Sequence, residues 1–241
     1  EKYGGGDGSF LDLTVLLEEM GRALLPSPFF STVVLCGLTI LDIGNESQKQ
    51  QFLTPIANGD MILTLALAES GGRYDAADIA VEAAKNDGEY AVSGTKLFVP
   101  DAHVADWILC AARTKKEPDP ARGVTLFLIE RGSQGMACSV LPSLSKEKQC
   151  EVVFNGVGVS SENVLGAVDQ GWSATKKTLQ RAAVAKSAEM VGGAEQVLEM
   201  TVSYAKEGMM SGIIGYGVYV PKYRLKQQDA AIPWGGFGMG E

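Results

Sequence analysis

Leu65-Ala66-Leu67-Ala68-Glu69-Ser70-Gly71-Gly72-Arg73-Tyr74-Asp75 is the stretch on which the reading of this chain turns. An apolar, strand-like run ends in one carboxylate, Glu69, then turns through Gly71-Gly72 and reaches a second carboxylate, Asp75. A counterpart follows at Gly94-Thr95-Lys96-Leu97-Phe98-Val99-Pro100-Asp101, an extended run closed by Pro-Asp. Strand ends that stop at Gly or Pro leave backbone N–H and C=O groups unpaired by the ladder. Such groups suit the polar rim of a flat ring. On residue pattern alone these are two strand ends.

Around this pair lie further short runs rich in apolar and β-branched residues: Met61–Ala68, Asp78–Ala84, Glu89–Val99, Trp107–Arg113, Gly123–Glu130 and Cys150–Phe154. Turn residues separate them, and the spacing predicts an antiparallel sheet or barrel. Before them the period is helical. Ser9 caps a helix from Phe10 to about Leu24 that Pro26 and Pro28 end, Phe30 to Ile43 is apolar nearly all round, and a short helix runs from Ser47 to Ala57. After Gly171 a stripe of Trp172, Leu179, Ala183, Met190, Ala194, Val197, Thr201 and Tyr204 predicts one long helix to Glu207, broken at Gly208. Ile213–Val220 reads as a strand. The fold class is therefore α+β with segregated elements: a helical segment, an antiparallel β-barrel-like middle domain and one long helix of an incomplete C-terminal bundle. The expected domains are 1–59, 60–168, 169–207 and 208–241.

The bulk properties exclude several classes. The chain has 241 residues, 46% of them hydrophobic, and a formal net charge of -8. The acidic balance argues against nucleic acid as a partner, and the longest apolar run, Val33 to Leu41, is too short to span a membrane. One histidine, His103, argues against a histidine-based metal site or a Ser-His-Asp triad. Cys36, Cys110, Cys138 and Cys150 have no ligand spacing and read as reduced core or strand residues of a cytoplasmic protein. No signal peptide opens the chain, and neither does Met, so the true start is expected to be missing.

Residues 1–207 resemble the acyl-CoA dehydrogenase family. The resemblance rests on the two segments quoted above and on Glu1-Lys2-Tyr3-Gly4-Gly5, Glu18-Glu19-Met20-Gly21, Gln48-Lys49-Gln50-Gln51-Phe52-Leu53, Asn163-Val164-Leu165-Gly166 and Gly171-Trp172. It implies FAD as cofactor and α,β-dehydrogenation of an acyl-CoA thioester. It also implies oligomers with acyl-CoA dehydrogenase-type subunits and an electron-transfer partner. The implied cofactor-binding residues are Leu65, Leu67, Ala68, Tyr74, Phe98, Val99 and Pro100, with Tyr74 and Arg181 toward substrate. The chain departs from the family pattern where the flavin hydroxyl donors would stand: Ala68 and Pro100 replace Thr, and Tyr74 replaces Ser.

Family chemistry removes an α-proton with a Glu while the flavin takes the β-hydride. Most members place this Glu late in the last helical domain, where this chain no longer follows the pattern. A minority place it on the long helix before an Arg, and that position is Gln180. No catalytic base is therefore assigned; turnover would mean that another carboxylate, Glu69 first, has been recruited. Residues 209–241, from Met209 through Leu225 in particular, resemble the opening strand of hydroxymethylglutaryl-CoA synthase-like, thiolase-fold proteins. The expectation is an incomplete or inactive acyl-CoA dehydrogenase. The alternatives are a non-catalytic flavin- or acyl-CoA-binding subunit completed by a partner chain, and an inert fusion product.

Overall fold

The computed structural model describes residues 2–144 and 147–210. The chain divides into two compact units, Glu1–Gln196 and Val197–Glu241. In the first unit, α1 (Phe10–Arg22) starts where the sequence predicts. The Asp12 N–H donates to the Ser9 hydroxyl and the Ser9 N–H donates to the Asp12 carboxylate at 2.7 Å, a reciprocal capping box. α2 begins as a π-helix over Phe30–Gly37 and continues as an α-helix over Leu38–Ile43. Its buried hydroxyls are paired: Thr32 exchanges hydrogen bonds with the backbone of Leu63, and Ser31 donates to Asp101 at 2.6 Å. α3 (Glu46–Asn58) carries a second capping box, Asn45 with Gln48, and ends on Gly59 at φ 80°. The left-handed cap there favours glycine.

Among the described residues eight strands form one sheet: β1 (Leu63–Ala66), β2 (Glu82–Asn86), β3 (Glu89–Pro100), β4 (Trp107–Arg113), β5 (Val124–Glu130), β6 (Met136–Val140), β7 (Gln149–Ser160) and β8 (Val164–Leu165). The order is β6-β7-β3-β2-β4-β5-β8, with β1 beside β4. The antiparallel barrel expected from sequence is thereby corrected. The sheet is mixed and open. β1 pairs with β4 in parallel, and β2 touches β4 through the single parallel pair Glu82 and Arg113. Closing a barrel needs continuous, consistently staggered pairing around the ring. Here one bridge joins two half-sheets, and β6 and β8 stand at opposite ends of the order.

The two half-sheets face each other across a core that includes Val92, Val99, Ile108, Phe127, Val152 and Phe154. The other face of β1, β4 and β5 packs on the helices through Leu63, Leu65, Leu109, Leu126 and Leu128, with Cys36, Ile40 and Phe52 opposite them. β1, β4 and β5 are thus covered on both faces, which is why they read as unbroken apolar runs.

α4 (Gly171–Met210) continues through Gly208, correcting the expected break there. Its buried face also differs from the expected stripe. Thr175, Thr178 and Ala185 are buried, while Met190 is 69% exposed. The reason lies in how α4 meets α1. A Cβ on Gly21 would sit 1.9 Å from the Glu189 carbonyl, and one on Gly192 would sit 1.8 Å from that of Glu18. Backbone touches backbone at this crossing, so small residues rather than large apolar ones face inward. In the second unit, Val197, Leu198, Met200 and Tyr204 of α4 are exposed. The strand expected at Ile213–Val220 lies outside the described residues. Among the described residues, no helix is long and apolar enough to cross a membrane.

Candidate functional site

The ends of β1 and β3 come together as the opening segments suggest. The Leu97 N–H donates to the Ala68 carbonyl at 2.8 Å, and the Thr64 hydroxyl donates to the Pro100 carbonyl. Leu65, Leu67, Ala68 and Val99 are all buried, so they form the floor of this junction. Two aromatic side chains stand clear of it: Phe98 is 51% exposed and Tyr74 62% exposed.

Phe98 owes its position to a bulge. The register of β3 against β7 shifts between Lys96 and Val99. Phe98 takes φ 53° and Asp101 φ 54°. A bulky residue in the left-handed region costs about 1–3 kcal/mol and persists only where the surroundings impose it. The extra residue reverses the strand's alternation, so Val99 enters the core and Phe98 leaves it. An apolar plate held outward in this way suits the face of a flat ring. The side chains of Ala68 and Pro100 add no hydrogen-bond donor to its rim, and proline has no N–H.

Glu69 is 7% exposed and fully engaged. It accepts from the N–H groups of Ala80 (2.9 Å) and Val81 (3.2 Å) and from Lys96 Nζ at 2.6 Å. Lys96 also donates to the Leu67 carbonyl at 3.1 Å, with its side chain 0% exposed. Sequence reasoning quoted Lys96 only as part of a motif. The available signal was parity: Tyr90 and Val92 mark the inward face of β3, and Lys96 falls on the same face.

Arg181 and Gln180 lie elsewhere, on α4. Arg181 forms a two-point ion pair with Asp42 of α2 at 2.6 and 3.4 Å, and Lys177 reaches the same carboxylate at 2.9 Å. Burial alone would raise Asp42. The hydrogen bonds from Lys177 and Arg181 outweigh it and hold the carboxyl below its ordinary range. Gln180 is exposed.

A cleft of about 390 Å³ is lined by residues that include Glu69, Ser70, Val81, Gly94, Thr95 and Glu151, and none of the expected cofactor- or substrate-binding residues lines it. Among the described residues no cluster of His, Cys, Asp and Glu is arranged to hold a metal. Burial pushes the Cys110 thiol up to about 11 and raises Cys36 as well, which removes both as nucleophiles near neutral pH. Cys138 is an exposed residue of strand β6.

The architecture is similar to that of acyl-CoA dehydrogenases. The acyl-CoA dehydrogenase N-terminal domain model matches residues 1–60, and the middle domain model matches residues 64–157. Over these two segments the chain resembles acyl-CoA dehydrogenase-family domains. It is 32% identical over 221 residues to a short-chain specific acyl-CoA dehydrogenase of Megasphaera elsdenii, covering 88% of this chain and 57% of that one. The solved butyryl-CoA dehydrogenase of Megasphaera elsdenii matches with a TM-score of 0.80 and 29% identity, over 92% of this chain and 59% of that one. The ChsE4-ChsE5 complex from Mycobacterium tuberculosis matches with a TM-score of 0.68 and 26% identity, over 75% and 46% respectively.

The chain spans 57% of the length of the first curated relative. The expected likeness of residues 209–241 to thiolase-fold proteins is overturned. Both matching family models and these solved structures are of the acyl-CoA dehydrogenase kind, and the described fold has none of the thiolase architecture.

Proposed function

We propose that this chain carries the ring-facing half of an FAD-dependent acyl-CoA dehydrogenase site. The observation that supports the reading is the outward Phe98 bulge beside the joined ends of β1 and β3. Phe98 would offer the flavin ring an apolar contact, and Leu65, Leu67 and Val99 would hold the floor of the site. Backbone groups near Ala68 and Pro100 supply the polar rim, and Tyr74 borders the path of the acyl thioester. Arg181 contacts the acyl-CoA only by leaving Asp42 or by sharing it. When bound, FAD accepts the β-hydride of the acyl group.

Among the described residues, neither Gln180 nor Glu69 is placed to act as the base. Gln180 cannot take a proton usefully near neutral pH, and Glu69 is buried and occupied by Lys96 and two backbone N–H groups. On this reading residues 1–59 and 60–168 are the partial helical and flavin-bearing domains, and 169–207 opens a further helical domain. The protein acts in the cytoplasm as an oligomer of acyl-CoA dehydrogenase-type subunits and passes electrons to a separate acceptor. The test is titration of the full chain with FAD, followed by visible absorbance and by acyl-CoA turnover with an artificial acceptor. The expected result is weak FAD binding that Phe98→Ala abolishes, with no turnover. Unchanged FAD binding by Phe98→Ala, or robust turnover, overturns it.

A second reading is a flavin- or acyl-CoA-binding subunit completed by a partner chain. It is favoured by the exposed Val184, Met190 and Val191 on α4, which no described element covers. Turnover that appears only on mixing with an intact acyl-CoA dehydrogenase-type chain selects this reading.

A further inference from the structure

We propose that the buried Lys96–Glu69 ion pair is a positioning device that holds β3 in the bulged register and so keeps Phe98 facing outward. The proposal rests on the reading that Phe98 faces a flavin. It deepens that reading by assigning the geometry of the ring-facing residue to a pair that itself stays away from the ring.

The pair is set in the sheet with side chains 0% and 8% exposed. Such a pair is weak evidence for stability, because apolar residues of similar volume often replace one without loss. What it specifies is geometry. Lys96 Nζ must reach two acceptors at once, the Leu67 carbonyl and the Glu69 carboxylate. That carboxylate in turn accepts from the N–H groups of Ala80 and Val81. Three segments are therefore fixed against one another: the chain leaving β1, the chain entering β2, and β3 one residue before its bulge. The next N–H along β3, that of Leu97, donates to Ala68 and closes the junction.

The competing arrangement follows from strand parity. Tyr90, Val92 and Lys96 point inward on β3, so uninterrupted alternation would carry Phe98 inward and Val99 outward. Phe98 is the more apolar mass, and the unbulged strand would also relieve its left-handed φ of 53°. A one-residue change of register exchanges the two side chains. Hydrophobic burial and backbone strain both favour that exchange. The polar geometry of Lys96 opposes it, because Nζ keeps both acceptors only while β3 holds its present position relative to β1.

The test uses the full chain with Glu69→Gln and Lys96→Met combined, which removes the charges together and leaves no unpaired buried ion. Leu17→Ala, in the separate α1–α4 cluster, serves as a destabilised control. The first readout is amide hydrogen exchange at Leu97. At least ten-fold faster exchange is expected in the double variant, with β4 and β5 amides unchanged and no such local effect in Leu17→Ala. The second readout is FAD affinity, expected to weaken at least ten-fold in the double variant and less than three-fold in the control. Leu97 exchange within two-fold of the parent overturns the proposal, as does equal acceleration in Leu17→Ala. If the parent chain binds no FAD, the cofactor reading fails while the exchange measurement still decides whether the pair positions the bulge.

Discussion

β3 and β4 belong to one sheet and are built largely from the same kinds of residue, yet they serve opposite purposes. β4 pairs with β5 through seven consecutive positions without a shift, and its five central residues are buried. β3 runs for twelve residues, changes register twice against β7, and exposes an aromatic ring near its end. Regular pairing covers side chains on both faces and builds the core. Interrupted pairing spends some of that burial to re-aim individual residues, and the interruption lies within residues 64–157, which match the acyl-CoA dehydrogenase middle domain. A strained Phe, a buried Lys and a strand-closing Pro fall within one five-residue span of β3, whereas β4 has no such concentration.

This contrast makes measurable demands. The largest effect is expected from Lys96→Met alone, which strands the buried Glu69 carboxylate: a loss of about 3–5 kcal/mol in urea-unfolding free energy. That size of loss from a β3 residue would break any rule that β3 is merely tolerant. Ile108→Ala, at a fully buried position of β4, should cost about 2–5 kcal/mol by the same measurement. A loss below about 1 kcal/mol would remove the distinction between the strands. Gly94→Ala comes next. Its φ of 136° excludes most side chains, and a Cβ there would lie 2.8 Å from Val81 Cγ2, so a loss of about 1–3 kcal/mol is expected. The smallest stability effect belongs to Phe98→Gly. Relief of the left-handed strain should leave stability unchanged or raise it by up to about 1 kcal/mol, even as FAD affinity falls. Stabilisation together with lost binding would separate site from core at a single residue.

The corrections share a cause. β6 escaped the sequence reading because it is short and four of its five residues are exposed, so it carries no apolar alternation. The barrel expectation failed because alternation reports which face of a strand is buried, not the direction of its neighbour. The parallel pairing of β1 with β4 joins residues more than forty positions apart. The stripe assigned to α4 followed large apolar residues, whereas the face that meets α1 is selected for close approach at Gly192. Arg181 was legible as a conspicuous cation on α4, but its partner Asp42 sits on α2, 139 residues away in sequence.

The sequence by itself showed the succession of helices, short strands and one long helix, the Ser9 cap of α1, and the two segments whose ends form the junction, because each depends on residues within a few positions of one another. Only the tertiary structure decided that the sheet is open and mixed, that Glu69 is bound to Lys96, and that Phe98 rather than Val99 faces outward. Those outcomes depend on which strand lies beside which and in what register. Register is set by side chains distant in sequence competing for the same buried space.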